Sequence, residues 1–159
     1  MSESRSITLS NEAATLALGA ALARVVGPGL IRLEGQLGAG KTCLVRGVLR
    51  GLGFQGRVKS PTYTLIEPYL CADLQVSHWD LYRLSSPDEL EALGLREHDR
   101  DNELLLIEWP ERGGDLLKHE DLSIRIDYQA DGRSAQLTPG SALGQNWIAA
   151  LDVRGIESA

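Results

Sequence analysis

The sequence predicts a three-layer α/β domain in which helices cover a mixed β-sheet, parallel in its centre and with antiparallel hairpins. Three observations support this prediction. A strand-like segment at 30–34 leads through a glycine-rich loop into an amphipathic helix. The most continuous apolar run, 104–107, is typical of a strand that is buried on both faces. The segment 122–128 alternates apolar and polar side chains, as a half-exposed strand does.

Length and composition indicate one domain over residues 1–159, with a C-terminal helical extension from about residue 139. No apolar run approaches the ~20 residues of a membrane span, so we expect no membrane association. The first residues are polar, unlike those of a secretory signal. Cys43 and Cys71 have no metal-ligand spacing, so we expect them to be free thiols, as in the reducing cytoplasm. The net charge of −6 argues against autonomous, high-affinity binding of RNA or DNA.

The amino-terminal third is predicted to begin with a short strand at 6–9. Ser10 or Asn11 can cap the helix that follows, because a short polar side chain there can accept a hydrogen bond from a free backbone N–H. Apolar residues at helical spacing carry this helix to about Val26, where a Gly-Pro-Gly sequence ends it.

The middle of the chain is predicted to continue from the glycine-rich loop into a helix at 43–52. Pro61 excludes a helix in the next segment, which therefore starts as an ordered loop. Strands at 64–69 and 74–79 follow, and the short link between them favours an antiparallel hairpin.

The last part of the chain is predicted to contain two helices and a hairpin. Ser86 can cap a helix through Leu93, which has proline and acidic residues in its first turn. An Asp-Gly turn joins the alternating strand at 122–128 to a partner at 134–137. The segment 147–153 is predicted to form the C-terminal helix.

The loop at residues 35–42 has the pattern G-x-x-x-x-G-K-[ST], the phosphate-binding loop (P-loop) of many nucleotidases. Glycine allows backbone N–H groups to approach phosphate oxygens without a Cβ clash. Lys41 can place an ammonium between the outer phosphates, and the Thr42 hydroxyl can ligate a bridging Mg²⁺. The loop residues expected to contact nucleotide are Gly35, Gly38, Ala39, Gly40, Lys41, Thr42 and Cys43. The predicted fold is therefore like that of P-loop NTPases.

A P-loop enzyme also needs an acid near Mg²⁺ and a group that senses the γ-phosphate or positions water. Four apolar residues precede Glu108, so we assign this carboxylate to Mg²⁺, directly or through water. Asp80 follows a less apolar strand and is the better candidate for a switch or water-positioning catalytic group. His78 is a tempting general base, but a histidine within a strand is more often a hydrogen-bonded structural group.

Thr62 lies in the loop beyond the P-loop helix, where small GTPases place a threonine that closes on Mg²⁺ and the γ-phosphate. Two GTPase features are missing. The sequence has no Asn-Lys-x-Asp for guanine, and Arg83 stands where a glycine would follow Asp80 three positions on. The expected nucleotide is therefore ATP, with Lys41, Thr62 and Asp80 as the catalytic residues.

Four motifs, taken in order, resemble the TsaE (YjeE) family, the bacterial ATPase subunit of the machinery that makes threonylcarbamoyladenosine in tRNA. They are the loop 35–42, Ser60-Pro61-Thr62-Tyr63-Thr64, His78-Trp79-Asp80-Leu81-Tyr82-Arg83-Leu84 and Ile107-Glu108-Trp109-Pro110-Glu111. The resemblance covers nearly the whole chain, and only the segment from Pro139 matches weakly.

The resemblance implies an ATPase that uses ATP and Mg²⁺ and resets a complex between turnovers. The implied partner is a heterodimer of the threonylcarbamoyl-transferase subunit and its paralogue, which modifies adenosine 37 of tRNAs reading ANN codons. Contact with tRNA would be indirect, through that complex. By the same resemblance, Lys41 and Thr42 bind phosphate and Mg²⁺, and Glu108 binds Mg²⁺. The resemblance also assigns Thr62 and Asp80 to switch segments and places Trp109 beside the nucleotide. Asn11 and Arg133 lie where contacts with adenine or phosphate are expected.

Two other functions remain open at this point. A small-molecule kinase could use the same loop, although the sequence has no arginine-rich insert that would close over the phosphates. A binding switch could use ATP to gate assembly without hydrolysing it. Arg83 could serve as an internal arginine finger, but nothing in the sequence establishes that role. For the ATPase we expect weak activity alone, raised by the partner complex.

Overall fold

The computed structural model describes residues 4–61 and 64–156, which form seven strands and four α-helices. The strands are β1 (Arg5–Leu9), β2 (Gly29–Glu34), β3 (Ile66–Cys71), β4 (Leu74–Asp80), β5 (Glu103–Glu108), β6 (Leu122–Gln129) and β7 (Gly132–Pro139). The helices are α1 (Glu12–Ala23), α2 (Lys41–Gly51), α3 (Glu89–Ala92) and α4 (Ala142–Ala150), and 3₁₀ helices at Leu95–Glu97 and Pro110–Leu117 flank β5. Within these described residues, no helix has the length and apolar character to cross a bilayer.

One mixed sheet contains the seven strands, in the order β1-β7-β6-β2-β5-β4-β3. The central strands β6, β2, β5 and β4 are mutually parallel, whereas β3–β4, β6–β7 and β1–β7 pair antiparallel. The predicted mixed sheet with a parallel centre is confirmed. Because parallel strands end at the same edge of a sheet, the P-loop after β2 lies beside the carboxyl ends of β4 and β5.

Each face of the sheet is covered, which confirms the three-layer prediction. Helices α1 and α2 pack on one face, and α4 extends that core through Trp147. Helix α3 and the 3₁₀ helix Pro110–Leu117 cover the other face, around the buried ring of Trp79. Strand β5 contributes Leu104 and Leu106 to the first core and Leu105 and Ile107 to the second. Burial on both faces explains its uninterrupted apolar run.

Helices α1 and α2 approach closely because two glycines face each other where they cross. A Cβ built on Gly19 would lie 2.7 Å from the Leu44 carbonyl oxygen, and one built on Gly47 would lie 2.6 Å from the Leu16 carbonyl oxygen. Because α2 starts at Lys41, this contact also fixes the end of the P-loop relative to α1.

Three helices differ from their predicted extents. Helix α1 ends at Ala23, three residues before the predicted end at Val26. Helix α4 begins at Ala142 and ends at Ala150, whereas the sequence predicted a helix over 147–153. Helix α3 has only 4 residues, and Ser86 does not cap it. The Glu89 carboxylate instead accepts a hydrogen bond from the backbone N–H of Ser85 at 2.9 Å, and residues 87–88 form a turn ahead of the helix.

The early start of α4 follows from a hydrogen-bonded hub at Asp121, the residue before β6. The Ser141 hydroxyl accepts from the Gly144 N–H at 3.2 Å as the helix cap and donates to the Asp121 carboxylate at 2.6 Å. The same carboxylate accepts from the Leu30 N–H at 2.9 Å and from the Arg100 guanidinium at 2.7 Å. Asp121 thus joins β2, β6 and α4 through one buried charge.

Candidate active site

The P-loop connects β2 to α2 and begins the candidate site. Gly35, Gly38 and Gly40 have φ angles of 144°, 80° and 115°, which a residue with a side chain rarely adopts. Gly40 is the cap residue of α2, and among the described residues no side chain accepts a hydrogen bond from the first backbone N–H groups of this helix. These N–H groups and the positive end of the helix dipole therefore suit an anion.

Lys41 is the first residue of α2 and is folded into its own loop. Its ammonium donates hydrogen bonds to the carbonyl oxygens of Gly35 and of Gln36, the latter at 3.1 Å. The same nitrogen lies 4.1 Å from the centre of the Trp109 ring, in a cation–π contact. Burial lowers the pKa of the Lys41 ammonium, and nearby carboxylates, foremost that of Glu108, oppose this shift.

Thr42, Glu108 and His78 form a chain of contacts between α2 and the sheet. The Thr42 hydroxyl donates to Glu108 Oε2 at 3.0 Å, and Nε2 of His78 lies 2.5 Å from the same oxygen. Residues 78 and 106 pair in the register of β4 and β5, as do 80 and 108. Side chains alternate along a strand, so His78, Asp80 and Glu108 share the sheet face that α2 covers. His78 is thus hydrogen-bonded inside the structure, as the sequence predicted.

Asp80 ends β4 directly beside Glu108 at the end of β5. Its carboxylate accepts a hydrogen bond from the Tyr82 N–H at 3.1 Å. Burial raises the pKa of the Asp80 carboxyl above its usual value, and the charge of Glu108 adds to the rise, while the Tyr82 hydrogen bond opposes it. Asp80 and Glu108 therefore end neighbouring strands, and within the described residues only Glu108 accepts a hydrogen bond from the Thr42 hydroxyl.

Two cavities meet at the P-loop. The first, of about 440 Å³, is lined by Leu37, Gly38, Gly40, Lys41, Thr42, Cys43, Ser60, Asp80, Tyr82, Arg83, Glu108 and Trp109. The second, of about 380 Å³, is lined by Leu9, Ser10, Asn11, Glu12, Thr15, Gly38, Ala39, Gly40, Cys43, Gly132 and Arg133. Gly38, Gly40 and Cys43 line both cavities, so the P-loop lies between one cavity that contains Asp80 and Glu108 and another that contains Asn11, Glu12 and Arg133. Their sizes are in the range of small-ligand sites.

Arg133 and Asn11 lie in the second cavity. The Arg133 guanidinium is 4.0 Å from the centre of the Tyr128 ring, and the Tyr128 hydroxyl donates to the Leu37 carbonyl at 3.0 Å, which links this side to the P-loop. Asn11 Oδ1 accepts from the Ala14 N–H at 2.9 Å and caps α1, as the sequence predicted. Its contact with nucleotide remains a prediction.

A family model described as "Threonylcarbamoyl adenosine biosynthesis protein TsaE" matches residues 9–135. The chain belongs to the TsaE family. The matched range contains the P-loop, both acids, Asn11 and Arg133, and it ends before α4.

Individual TsaE relatives are similar over most of their length. A Haemophilus influenzae protein named "tRNA threonylcarbamoyladenosine biosynthesis protein TsaE" is 48% identical over 122 residues, which is 77% of each chain. A Bacillus subtilis protein of the same name is 38% identical over 122 residues, 76% of each chain. A crystal structure of Bacillus subtilis YdiB superimposes with a TM-score of 0.76 at 28% identity, covering 94% of this chain and 93% of that one.

The donor set of this TsaE-family site suits Mg²⁺ better than a transition metal. Over the two described segments, no group of three or more His, Cys, Asp or Glu side chains is arranged to hold a metal ion. Mg²⁺ needs only one or two protein oxygens, because phosphates and waters complete its shell. The Thr42 hydroxyl and the Glu108 carboxylate, whose oxygens lie 3.0 Å apart, could hold such an ion.

The structure brings together the site residues that the sequence predicted, with one exception. Thr62 lies outside the described residues, so its role stays a prediction. Sequence reasoning missed Tyr82, whose ring lies 5.0 Å from that of Trp109, and Tyr128 at the end of β6. Tyr82 follows β4 and Tyr128 lies near the end of β6, and both strands end at the edge of the sheet where the P-loop begins. That position in the sequence could have indicated both residues.

Proposed function

We propose that this chain is the Mg²⁺-dependent ATPase subunit of the complex that forms N6-threonylcarbamoyladenosine at position 37 of tRNAs reading ANN codons. Membership of the TsaE family assigns the chain to threonylcarbamoyladenosine biosynthesis. The observation that carries the ATPase proposal is the hydrogen bond between Thr42 and Glu108. It joins the start of the P-loop helix to the end of the central strand, where a Mg²⁺–triphosphate would need both groups.

The residues of the first cavity divide the work of hydrolysis. Thr42 and Glu108 would hold Mg²⁺, which neutralises charge on the phosphate oxygens when bound. Lys41 would bind the outer phosphates, together with the free N–H groups at the start of α2. Asp80 would orient the attacking water and accept its proton, because a carboxyl whose pKa is raised is a better base at neutral pH.

The proposed partner is the heterodimer of the threonylcarbamoyl-transferase subunit and its paralogue. With a net charge of −6, the chain has little electrostatic attraction for tRNA, so tRNA would be held by the partners. ATP hydrolysis would reset the complex between turnovers. The isolated chain would hydrolyse ATP slowly, and the partner pair would raise the rate.

Two substitutions separate the roles of the acids. Glu108→Gln should remove most of the increase in ATP affinity that Mg²⁺ provides, measured by calorimetry with and without the metal. Asp80→Asn should keep that increase but slow phosphate release by about 10²–10⁴-fold. Glu103→Gln is the matched control, because Glu103 begins the same strand and bonds to Ser77, far from the P-loop. If Asp80→Asn loses Mg²⁺ affinity while Glu108→Gln keeps it, the two roles must be exchanged.

The function itself is tested by phosphate release with and without the partner pair, combined with a pull-down in ATP, in ADP and without nucleotide. Release that the partners stimulate supports the ATPase proposal. Nucleotide-dependent capture without release would favour the assembly switch, and a phosphorylated small molecule among the products would favour the kinase. Full turnover by the isolated chain would contradict a partner-stimulated subunit.

A further inference from the structure

We propose that His78 is a positioning residue, which holds the Glu108 carboxylate in the orientation that binds the metal. The inference rests on the proposed function, because it concerns the Mg²⁺ that accompanies the nucleotide. The His78 side chain does not line either of the two cavities at the P-loop, so it is an addition to the site residues described above. His78 would act only through Glu108.

The contacts of the imidazole ring all point to Glu108. An ionised carboxylate can only accept hydrogen bonds, so the His78 Nε2, which lies 2.5 Å from Glu108 Oε2, carries the proton and donates it. The other ring nitrogen, Nδ1, is enclosed and has no hydrogen-bond partner in the described structure. Within residues 4–61 and 64–156, the one hydrogen-bond partner of this ring is therefore the carboxylate that faces the P-loop.

Two donors fix Glu108 from opposite elements. His78 on β4 and Thr42 on α2 both bond to Oε2, at 2.5 and 3.0 Å. From the part of the chain that the structure describes, Oε1 receives only a longer contact of 3.3 Å with Thr42. The carboxylate is 3% exposed, so water offers little replacement for a lost donor. Carboxylates that bind metals are commonly held in place by hydrogen bonds from residues that do not themselves bind the metal. Losing one such hydrogen bond typically lowers metal affinity by about 10–100-fold, and we expect an effect of the same order for His78.

The geometry separates this role from two others. A general base must reach the attacking water, but the His78 side chain is 0% exposed and lies behind Glu108. A purely structural histidine would fill space between β4 and α2, and its loss would lower stability without changing the response to Mg²⁺. The dependence of nucleotide affinity on Mg²⁺ is therefore the readout that distinguishes positioning from packing.

Three variants of His78 test the proposal in the full chain. His78→Gln can place its amide N–H near the position of Nε2, His78→Asn reaches only the position of Nδ1, and His78→Leu fills the space without a donor. Ser77→Ala is the control, because Ser77 is equally buried on the same strand but bonds to Glu103 on the other face. ADP affinity is measured by calorimetry with and without Mg²⁺, alongside thermal unfolding.

We expect His78→Leu and His78→Asn to reduce the gain in ADP affinity from Mg²⁺ by about 10–100-fold, with metal-free affinity nearly unchanged. His78→Gln should restore most of the gain, and Ser77→Ala should keep all of it. A wild-type gain in His78→Leu and His78→Asn would overturn the positioning role while leaving the proposed function intact. If His78→Leu does not fold, the contrast between Gln and Asn decides in the same way. Wild-type protein that gains nothing from Mg²⁺ would overturn both proposals.

Discussion

The glycine contact between α1 and α2 gives a sharp prediction for Gly19→Ala. A new Cβ at this position would lie 2.7 Å from the Leu44 carbonyl oxygen and 2.7 Å from the Val48 nitrogen. Both neighbours are backbone atoms, so no rotation of a side chain can relieve the clash. The two helices must move apart, and the start of α2 at Lys41 moves with them.

The size of the effect follows from two opposing contributions. Overpacking a tight contact costs about 1–3 kcal/mol, and a clash with rigid backbone belongs near the top of that range. Alanine in place of glycine in a helix interior recovers about 1 kcal/mol of helix propensity. We expect a net loss of about 2 kcal/mol in the free energy of unfolding, which lowers Tm by about 4–8 °C in a chain of this length.

Urea unfolding followed by far-UV circular dichroism measures this loss of stability. An unchanged dependence of the unfolding free energy on urea concentration (the m-value) would show that the folded and unfolded states are otherwise unaltered. Gly27→Ala is the matched control: a Cβ there meets nothing within 4 Å and φ is not left-handed. This control should be neutral or stabilise by about 0.4–1 kcal/mol. Gly53 also has open space but a φ of 96°, so Gly53→Ala reports backbone strain alone, about 1–2 kcal/mol. Equal stabilities of the Gly19 and Gly27 variants would refute the packing argument.

Three further predictions follow from single contacts. Burial raises the pKa of Asp121, but its three hydrogen bonds together bring that pKa below the ordinary 3.8. Asp121→Asn should therefore lower the free energy of unfolding by about 2 kcal/mol at neutral pH. The stabilisation by the ionised carboxylate is present above about pH 4 and is lost as the pH falls through the folded-state pKa of Asp121. The urea midpoints of the variant and the wild type should therefore converge in acid. Asn11→Ala should cost about 1 kcal/mol in thermal unfolding through the lost helix cap, and Asn11→Ser should recover most of it. Nucleotide binding should change tryptophan emission, because the Lys41 ammonium leaves the Trp109 ring. The other two tryptophans are buried, so Trp109→Phe should remove this fluorescence change while calorimetry still detects binding. An unchanged fluorescence response in Trp109→Phe would show that the Trp109 ring is not the reporter.

Features that depend on nearby residues could be predicted from the sequence. The glycine spacing of the P-loop and the apolar run of β5 each reflect a local requirement, the first for left-handed backbone and the second for burial on both faces. The assignment of Glu108 to the metal site used the same run, and its contact with Thr42 is compatible with that assignment.

Features that depend on distant pairing could not be predicted. His78 and Glu108 are 30 residues apart, and their contact requires the parallel register of β4 and β5, which hydrophobic alternation leaves open. The start of α4 likewise depends on Ser141 meeting Asp121 across the end of the sheet. The predicted helix began at Trp147, whereas the cap residue of the observed helix, Ser141, lies well before it.

The hydrogen bonds of Lys41 to its own loop have a consequence for affinity. A phosphate that takes the ammonium must displace the carbonyl oxygens of Gly35 and Gln36, so binding is an exchange of partners for one cation. The observed dissociation constant is then the intrinsic one divided by the fraction of molecules in which the ammonium is already released. Each tenfold decrease in that fraction weakens the observed affinity tenfold, or by about 1.4 kcal/mol. A contact that shifted the loop toward the released form would tighten nucleotide binding without touching the nucleotide.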